Sequence, residues 1–165
     1  MSTITSFAPM ADKAAHILIL GSMPGALSLK YSQYYAHHRN AFWRIMAAIF
    51  NCSTEAPYEA RIEALKASGV ALWDVLHACT RPGSLDSAIE AGSRVPNDFP
   101  AFFNEHPNIK LVGFNGAEAE KSFRRDVQPS LSANDVNFVR LPSSSPAYAV
   151  SLETKIEAWK KALGA

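Results

Sequence analysis

The amino-acid sequence predicts an α/β domain with a mostly parallel sheet. Two observations carry this. Four short apolar runs are spaced along the chain, and helical patterns fill the intervals between them. The runs are bounded by glycine or polar residues and are too short for helices, which marks them as buried strands. A third observation sets the domain count. The chain has 165 residues, 48% of them apolar and 19% charged, which suits one domain spanning 1–165 with a real core.

Taken in order, residues 1–15 read as a short lead-in. His16–Leu20 is the first strand, closed by Gly21 and followed by the tight loop Gly21-Ser22-Met23-Pro24-Gly25. Ala41–Phe50 is the first helix, because Phe42, Trp43, Ile45, Met46, Ile49 and Phe50 recur at helical spacing. Tyr58–Ala67 is the second, with Ile62 and Leu65 on its apolar side and Gly69 as its stop. Val70–Leu76 is the second strand. The polar stretch 77–96 reads as a loop with at most one helical turn near Ala88, and loops of that length in compact domains are often functional. Asp98–Glu105 is a short helix ended before Pro107. Lys110–Phe114 and Asn137–Leu141 are the last two strands, with the helix Ala117–Val127 between them. Leu152–Leu163 closes the chain, with Ser151 as N-cap and Lys160 and Lys161 in the last turn.

Composition removes several classes of function. The formal charge is only +1, so any nucleic-acid contact must come from local patches such as Lys30, Arg39, Arg44 and Arg140. Cys52 and Cys79 lie far apart and in no zinc-binding pattern, which reads as buried free thiols in a reducing compartment. No apolar run approaches the roughly 20 residues of a membrane span. No basic and apolar leader opens the chain, so a cytoplasmic protein is expected.

The candidate chemistry sits where strands end, which is where open parallel sheets place their ligands. Gly21 and Gly25 give the first loop backbone freedom and Pro24 stiffens it. The loop is neither a triphosphate-binding nor a dinucleotide-binding glycine motif, and Ser22 stands in no nucleophile elbow. Beyond it, Tyr34, Tyr35, His37, His38, Arg39 and Asn40 bring aromatic faces, basic groups and an amide within ten residues. Each has a plainer reading: core aromatics, solvated histidines, and Asn40 as N-cap of the next helix. Asp74 and His77 end the second strand, as general base and phosphate contact or as turn cap and solvated residue. Asn115 ends the third strand, as helix N-cap or as an amide reading a base edge. After the fourth strand, Ser143, Ser144 and Ser145 lie between Pro142 and Pro146, a rigid loop of small donors suited to holding phosphates.

Together these segments resemble the uracil-DNA glycosylase superfamily. GSMPG followed by YYAHHRNAFW is similar to the pattern of the mismatch-specific uracil/thymine-DNA glycosylases, and LPSSSPAY to the family's Pro-Ser-rich loop. The Arg81-Pro82-Gly83-Ser84-Leu85-Asp86 segment, with QYYAH, NAFW and SSSPAY, looks closest to the hypoxanthine-DNA glycosylase branch. The resemblance implies a three-layer α/β/α fold with a central four-stranded parallel sheet. It implies hydrolysis of the N-glycosidic bond of deaminated bases, hypoxanthine or uracil, in double-stranded DNA, by a monomer with no metal and no cofactor. Carried over by position, Gly21, Ser22, Met23, Pro24 and Gly25 line the base pocket, Tyr35 stacks on the flipped base and Asn115 reads its edge. His37, Arg39, Ser143, Ser144 and Ser145 contact DNA, and Pro146, Ala147 or Tyr148 enters the duplex.

One position departs from the pattern. Met23 stands where many superfamily members carry Asp, Asn or Glu to handle the attacking water. Asn40 is then the leading catalytic residue, as a positioner of water, since an amide is no base at neutral pH. Asp74 is the fallback. Two other classes stay open from sequence: a non-catalytic module that binds lesions or bases on the same fold, inactive through Met23, and a hydrolase of free nucleosides.

Overall fold

The computed structural model describes residues 2–132 and 135–164. Four strands form one parallel sheet: β2 (Ile17–Gly21), β3 (Val70–Asp74), β6 (Leu111–Asn115) and β7 (Asn137–Leu141), in the order β3-β2-β6-β7. Along β2, Ile17 and Ile19 face one way and Leu18 and Leu20 the other, and all four are buried. Both faces are therefore covered. On one side lie α2 (Phe42–Phe50), α3 (Tyr58–Ala67) and α6 (Leu152–Leu163), packed through Phe42, Ile45, Met46, Leu65 and Trp159. On the other lie α4 (Phe99–Glu105) and α5 (Ala117–Asp126), packed through Phe99, Phe102 and Phe123. This is the three-layer arrangement expected from the sequence.

The chain runs from β2 to β3 on one side of β2, then returns to β6 on the other. Strand order thus reverses between β2 and β6, and the crevice at their carboxyl ends is the place a ligand enters such a sheet. Gly113 lies at the sheet's centre. A Cβ there would stand 2.7 Å from Leu141 Cδ1, so its absence lets β7 and α6 close down on β6.

Several elements differ from expectation. The second strand stops at Asp74, one residue before Val75, whose N–H turns to the Gly21 carbonyl (2.8 Å). The chain then starts a new strand, β4 (Leu76–Thr80), in a small antiparallel sheet of order β1-β4-β5. β1 (Thr3–Thr5) comes from the lead-in and β5 (Val95–Pro96) from the end of the supposed loop. Between β4 and β5 lie two short 3-10 turns, Asp86–Ala88 and Ala91–Ser93, instead of one. A short helix α1 (Ala26–Tyr31) follows the first loop where none was read. Ser151 caps α6 as expected, accepting from the Thr154 N–H at 3.1 Å. Cys52 and Cys79 are buried free thiols. Among the described residues no helix is long and apolar enough to cross a membrane.

Trp159 shows how packing reaches the strand-end loops. Its ring is fully buried edge-on to Phe42, and its indole N–H donates to the Pro142 carbonyl at 2.7 Å. Trp159→Ala is expected to cost about 3–5 kcal/mol in a urea titration, by opening a cavity and releasing that carbonyl.

Candidate active site

A pocket of about 590 Å³ opens at the carboxyl ends of the parallel strands. It gathers residues from five separate stretches: 21–28, 34–40, Asp74, 84–87 and 143–148, with Asn115 between the last two. Of the residues named from sequence, Gly21, Ser22, Met23, Pro24, Gly25, Tyr35, His37, Asn40, Asp74, Asn115, Ser143, Ser144, Ser145, Pro146 and Tyr148 all line it. Arg39 does not line it; the residue is exposed and its carbonyl accepts from Arg44 Nη2. His77 is also outside, exposed on β4 and separated from Asp74 by the passage into the small sheet.

Close approach of backbone and side chains makes the floor. Gly21 pairs in register with Asp74 across β2 and β3. A Cβ on Gly21 would lie 2.5 Å from Asp74 Oδ1 and 3.1 Å from the Tyr35 hydroxyl, so both polar groups converge on the space glycine leaves. Tyr35 holds a left-handed backbone, φ +56°, which costs a non-glycine residue roughly 1–2 kcal/mol. Its ring stacks on Phe42 (centroids 4.0 Å apart, planes at 18°), leaving the other face to the pocket side. Its hydroxyl is buried without a hydrogen-bond partner. Burial, and then the charge on Asp74, pushes its ionisation far above the ordinary phenol range. The Asn115 amide lies near enough to favour ionisation, but it is turned to Ser144 and does not meet the hydroxyl in hydrogen-bond geometry. Tyr34, by contrast, is a core residue whose hydroxyl donates to the Ala8 carbonyl.

Asp74 is 4% exposed, and its carboxyl has no hydrogen bond among the described residues. Burial raises its pKa from 3.8 to about 7; the negative charge of Asp86 adds to the rise and Arg81 opposes it. Asp86 and Arg81 were not singled out as functional in the sequence. Their segment carries part of the family resemblance, but the resemblance gives neither side chain a role. In the fold, Ser22 Oγ donates to Asp86 Oδ1 at 2.6 Å, and Arg81 Nη2 donates to the Pro24 carbonyl at 2.7 Å. The Ala26 N–H adds a bond to Ser84 Oγ at 2.8 Å. The first loop is thereby stitched to the 81–86 segment, with Asp86 on the pocket wall.

The opposite wall rests on Ser144. Its N–H donates to Asn115 Oδ1 (2.8 Å), its Oγ accepts from Asn115 Nδ2 (2.9 Å), and its carbonyl accepts from the Ala41 N–H (2.9 Å). Asn115 is therefore no N-cap: Gly116 precedes α5, at φ +96°. Nor does Asn40 flank α2 directly, since the helix starts at Phe42. Asn40 Oδ1 accepts from the Phe42 N–H two residues on (2.9 Å), an Asx-type turn. That bond uses one lone pair of the amide oxygen. Lys155 Nζ donates to the Ser145 carbonyl (3.0 Å) and lies under Tyr148, which is 48% exposed at the rim. Arg140, expected as free basic surface, is ion-paired to Glu120 at 2.6 Å. Among the described residues no cluster of His, Cys, Asp and Glu is arranged to hold a metal.

Comparison with known proteins gives the family of this chain. Residues 8–163 match the family described as the uracil DNA glycosylase superfamily. The chain belongs to that superfamily. This uracil-DNA-glycosylase-like chain is 37% identical over 157 residues to a protein of Methanosarcina barkeri named hypoxanthine DNA glycosylase, covering 94% of this chain and 95% of the relative. A protein of the same name from Methanosarcina acetivorans is 37% identical over 142 residues, covering 86% and 85%. The solution NMR structure of a Methanosarcina acetivorans protein described as a candidate uracil DNA glycosylase superposes with a TM-score of 0.79, at 30% identity over 99% of this chain and 100% of that one.

Asp74 makes the superfamily pocket costly to fold at neutral pH. Protonated in the fold while the unfolded chain ionises, it contributes stability that is complete below pH 3.8 and lost as pH rises to about 7, at about 1.4 kcal/mol per unit. Asp74→Asn, neutral throughout, is expected to raise the melting temperature at about pH 8 and to change it little at about pH 4. Melting curves at both pH values read this; a variant less stable at both would mean that partners hold the carboxylate.

Proposed function

We propose that this protein is a monofunctional DNA glycosylase that hydrolyses the N-glycosidic bond of deaminated bases in double-stranded DNA, hypoxanthine first among them. The observation that carries the reading is the pocket itself. A backed aromatic ring, a buried acid and an amide beside a helix start converge at the switch point of a chain related along its length to proteins named hypoxanthine DNA glycosylase. At about 590 Å³ the pocket falls within the roughly 300–1,000 Å³ of small-ligand sites, room for one base and its sugar.

The target nucleotide leaves the stack, at a cost of a few kcal/mol that is least in a mismatch, where deaminated bases sit. Its base lies on the Tyr35 ring, which Phe42 backs. Departure leaves positive charge on the sugar and negative charge on the base, and donors of the Gly21–Gly25 loop meet the latter. Met23 is buried and apolar and holds no water. Asn40 orients the attacking water with the second lone pair of its amide oxygen, the first being tied to Phe42. Ser143 and Ser145 face the phosphates, while Ser144 is spent on holding the loop. Tyr148 and Ala147 meet the duplex at the rim, and His37 and Arg39 meet the strand beside it. The protein works as a monomer in the cytoplasm, without metal or cofactor.

Duplexes carrying a single hypoxanthine, uracil or thymine lesion test the reading. Wild type is expected to release hypoxanthine and leave an abasic site, with Asn40→Ala slower by roughly 100-fold from loss of water positioning. Binding without base release by wild type, or hydrolysis of free nucleosides in preference to duplex, would sink the glycosylase reading. Full rate in Asn40→Ala would remove Asn40 from its role.

A further inference from the structure

We propose that Asp74 is the acid of this reaction, giving its carboxyl proton to N7 of a departing purine. The inference rests on the glycosylase reading and goes beyond it, since nothing said so far helps the base to leave as a neutral molecule.

Three observations lead there. First, the Asp74 carboxyl lines the pocket at 4% exposure with no protein hydrogen bond among the described residues. A carboxyl that its own protein leaves unpartnered on the pocket lining is free to meet a ligand group there. Second, Asp74 and Asn40 reach the pocket from different elements, the tip of β3 and the turn before α2. Asp74 sits on the floor, over the missing side chain of Gly21 and beside the Tyr35 hydroxyl. Asn40 is half-buried, one residue before Ala41, whose N–H is bonded to the loop that Ser144 anchors. A flipped nucleotide enters base first, so the floor acid meets the base and Asn40 meets the sugar and its water. Third, a second acid is fixed on the adjoining wall. Asp86, tied to Ser22 at 2.6 Å, projects its negative charge at Asp74, as two carboxylates in one site cannot both ionise freely. Burial does most to keep Asp74 protonated, and Asp86 is the positioning residue that adds to it.

The groups that face Asp74 come from two directions. Asp86 and Arg81 lie in the segment after β4, the first favouring the neutral acid and the second the carboxylate. Tyr34 and Tyr35, before α2, are held neutral by burial and feel the Asp74 charge. From α5, Glu118 acts on Asp86 and raises its pKa further. The balance leaves Asp74 near neutrality, where an acid both holds a proton and releases it.

The step is as follows. The Asp74 O–H bond breaks as an N7–H bond forms. The bond from the sugar to N9 breaks with its electron pair going to the base, which leaves uncharged. Water adds to the sugar carbon and gives a proton to solvent, and Asp74 recovers one from solvent. Uracil has no counterpart to N7, because one ring nitrogen carries hydrogen and the other is the glycosidic bond. For uracil Asp74 is only a hydrogen-bond donor to a carbonyl oxygen, a role an amide can fill.

Single-turnover cleavage of duplexes containing deoxyinosine, 7-deaza-deoxyinosine or deoxyuridine, from about pH 5 to about pH 9, decides the matter. Asp74→Asn is expected to lose roughly 100-fold or more on deoxyinosine, and far less on deoxyuridine. Wild type is expected to cleave the 7-deaza substrate as poorly as Asp74→Asn cleaves deoxyinosine, with no further loss when the two changes are combined. Asp86→Asn is expected to move the alkaline fall of the deoxyinosine rate to lower pH. Melting curves and binding to a duplex with a stable abasic analogue confirm that each variant is folded. Wild-type activity on deoxyinosine with Asp74→Asn within a few-fold of it, or with the 7-deaza substrate cleaved equally fast, would overturn the assignment. Wild type inactive on every lesion would instead overturn the glycosylase reading, and this one with it.

Discussion

Ser144 makes three hydrogen bonds to two distant parts of the chain from a position that water barely reaches, at 1% exposure. Its N–H and hydroxyl meet both ends of the Asn115 amide at the tip of β6, and its carbonyl meets the Ala41 N–H at the start of α2. Each bond lost in such a place leaves a buried polar group unsatisfied, which costs more than the bond itself is worth. Asn40, one residue before Ala41, inherits its place from this junction, and so do Ser143 and Ser145 on either side. Trp159 and Lys155 secure the same loop from α6 through the carbonyls of Pro142 and Ser145. The side of the pocket that carries Asn40 and the serine loop is thus tied together by buried hydrogen bonds.

The other side is governed by charge. Two acids and one arginine sit where the sheet ends, largely out of solvent, and none of the three forms an ordinary ion pair with another among the described residues. Arg81 spends its donors on the Pro24 and Gly83 carbonyls, and its Nη1 is buried without a partner. Its positive charge tempers both carboxylates without neutralising either. Ser22 fixes Asp86 and leaves Asp74 to the pocket. Stability is given up at neutral pH to keep such a group out of water.

The parallel sheet was legible because strands covered on both faces read as plain apolar runs, and His16–Leu20 and Asn137–Leu141 differ from the observed strands by a residue or none. The small sheet was not. β1 has three residues and β5 two, below any useful pattern, and β4 continues the apolar run of β3 across Val75 with no punctuation. The glycine, amide and serine clusters of the pocket were legible because they are local signals at strand ends, whereas its stretches 26–28 and 84–87 carry no such signal. What each does with its hydrogen bonds was not legible, because partners lie far off in sequence. Asn115 meets Ser144 across 29 positions, and Ser22 meets Asp86 across 64. The motif resemblance supplied the family but gave Asp86 no role, since a charge acquires its meaning only from what the fold sets beside it.

The acidic wall is carried by the minor sheet, not by the parallel one. Residues 81–94 form an excursion whose ends are held together where β4 and β5 pair. Length and composition inside such an excursion can change with little effect on the main framework. Mutation can therefore alter the proton affinity of Asp74 from a segment that contributes little to the core. The acid itself stands on the scaffold, at the tip of β3, while the charges that tune it stand on a surface excursion, so its environment can vary in descendants of this sequence without a repacked interior.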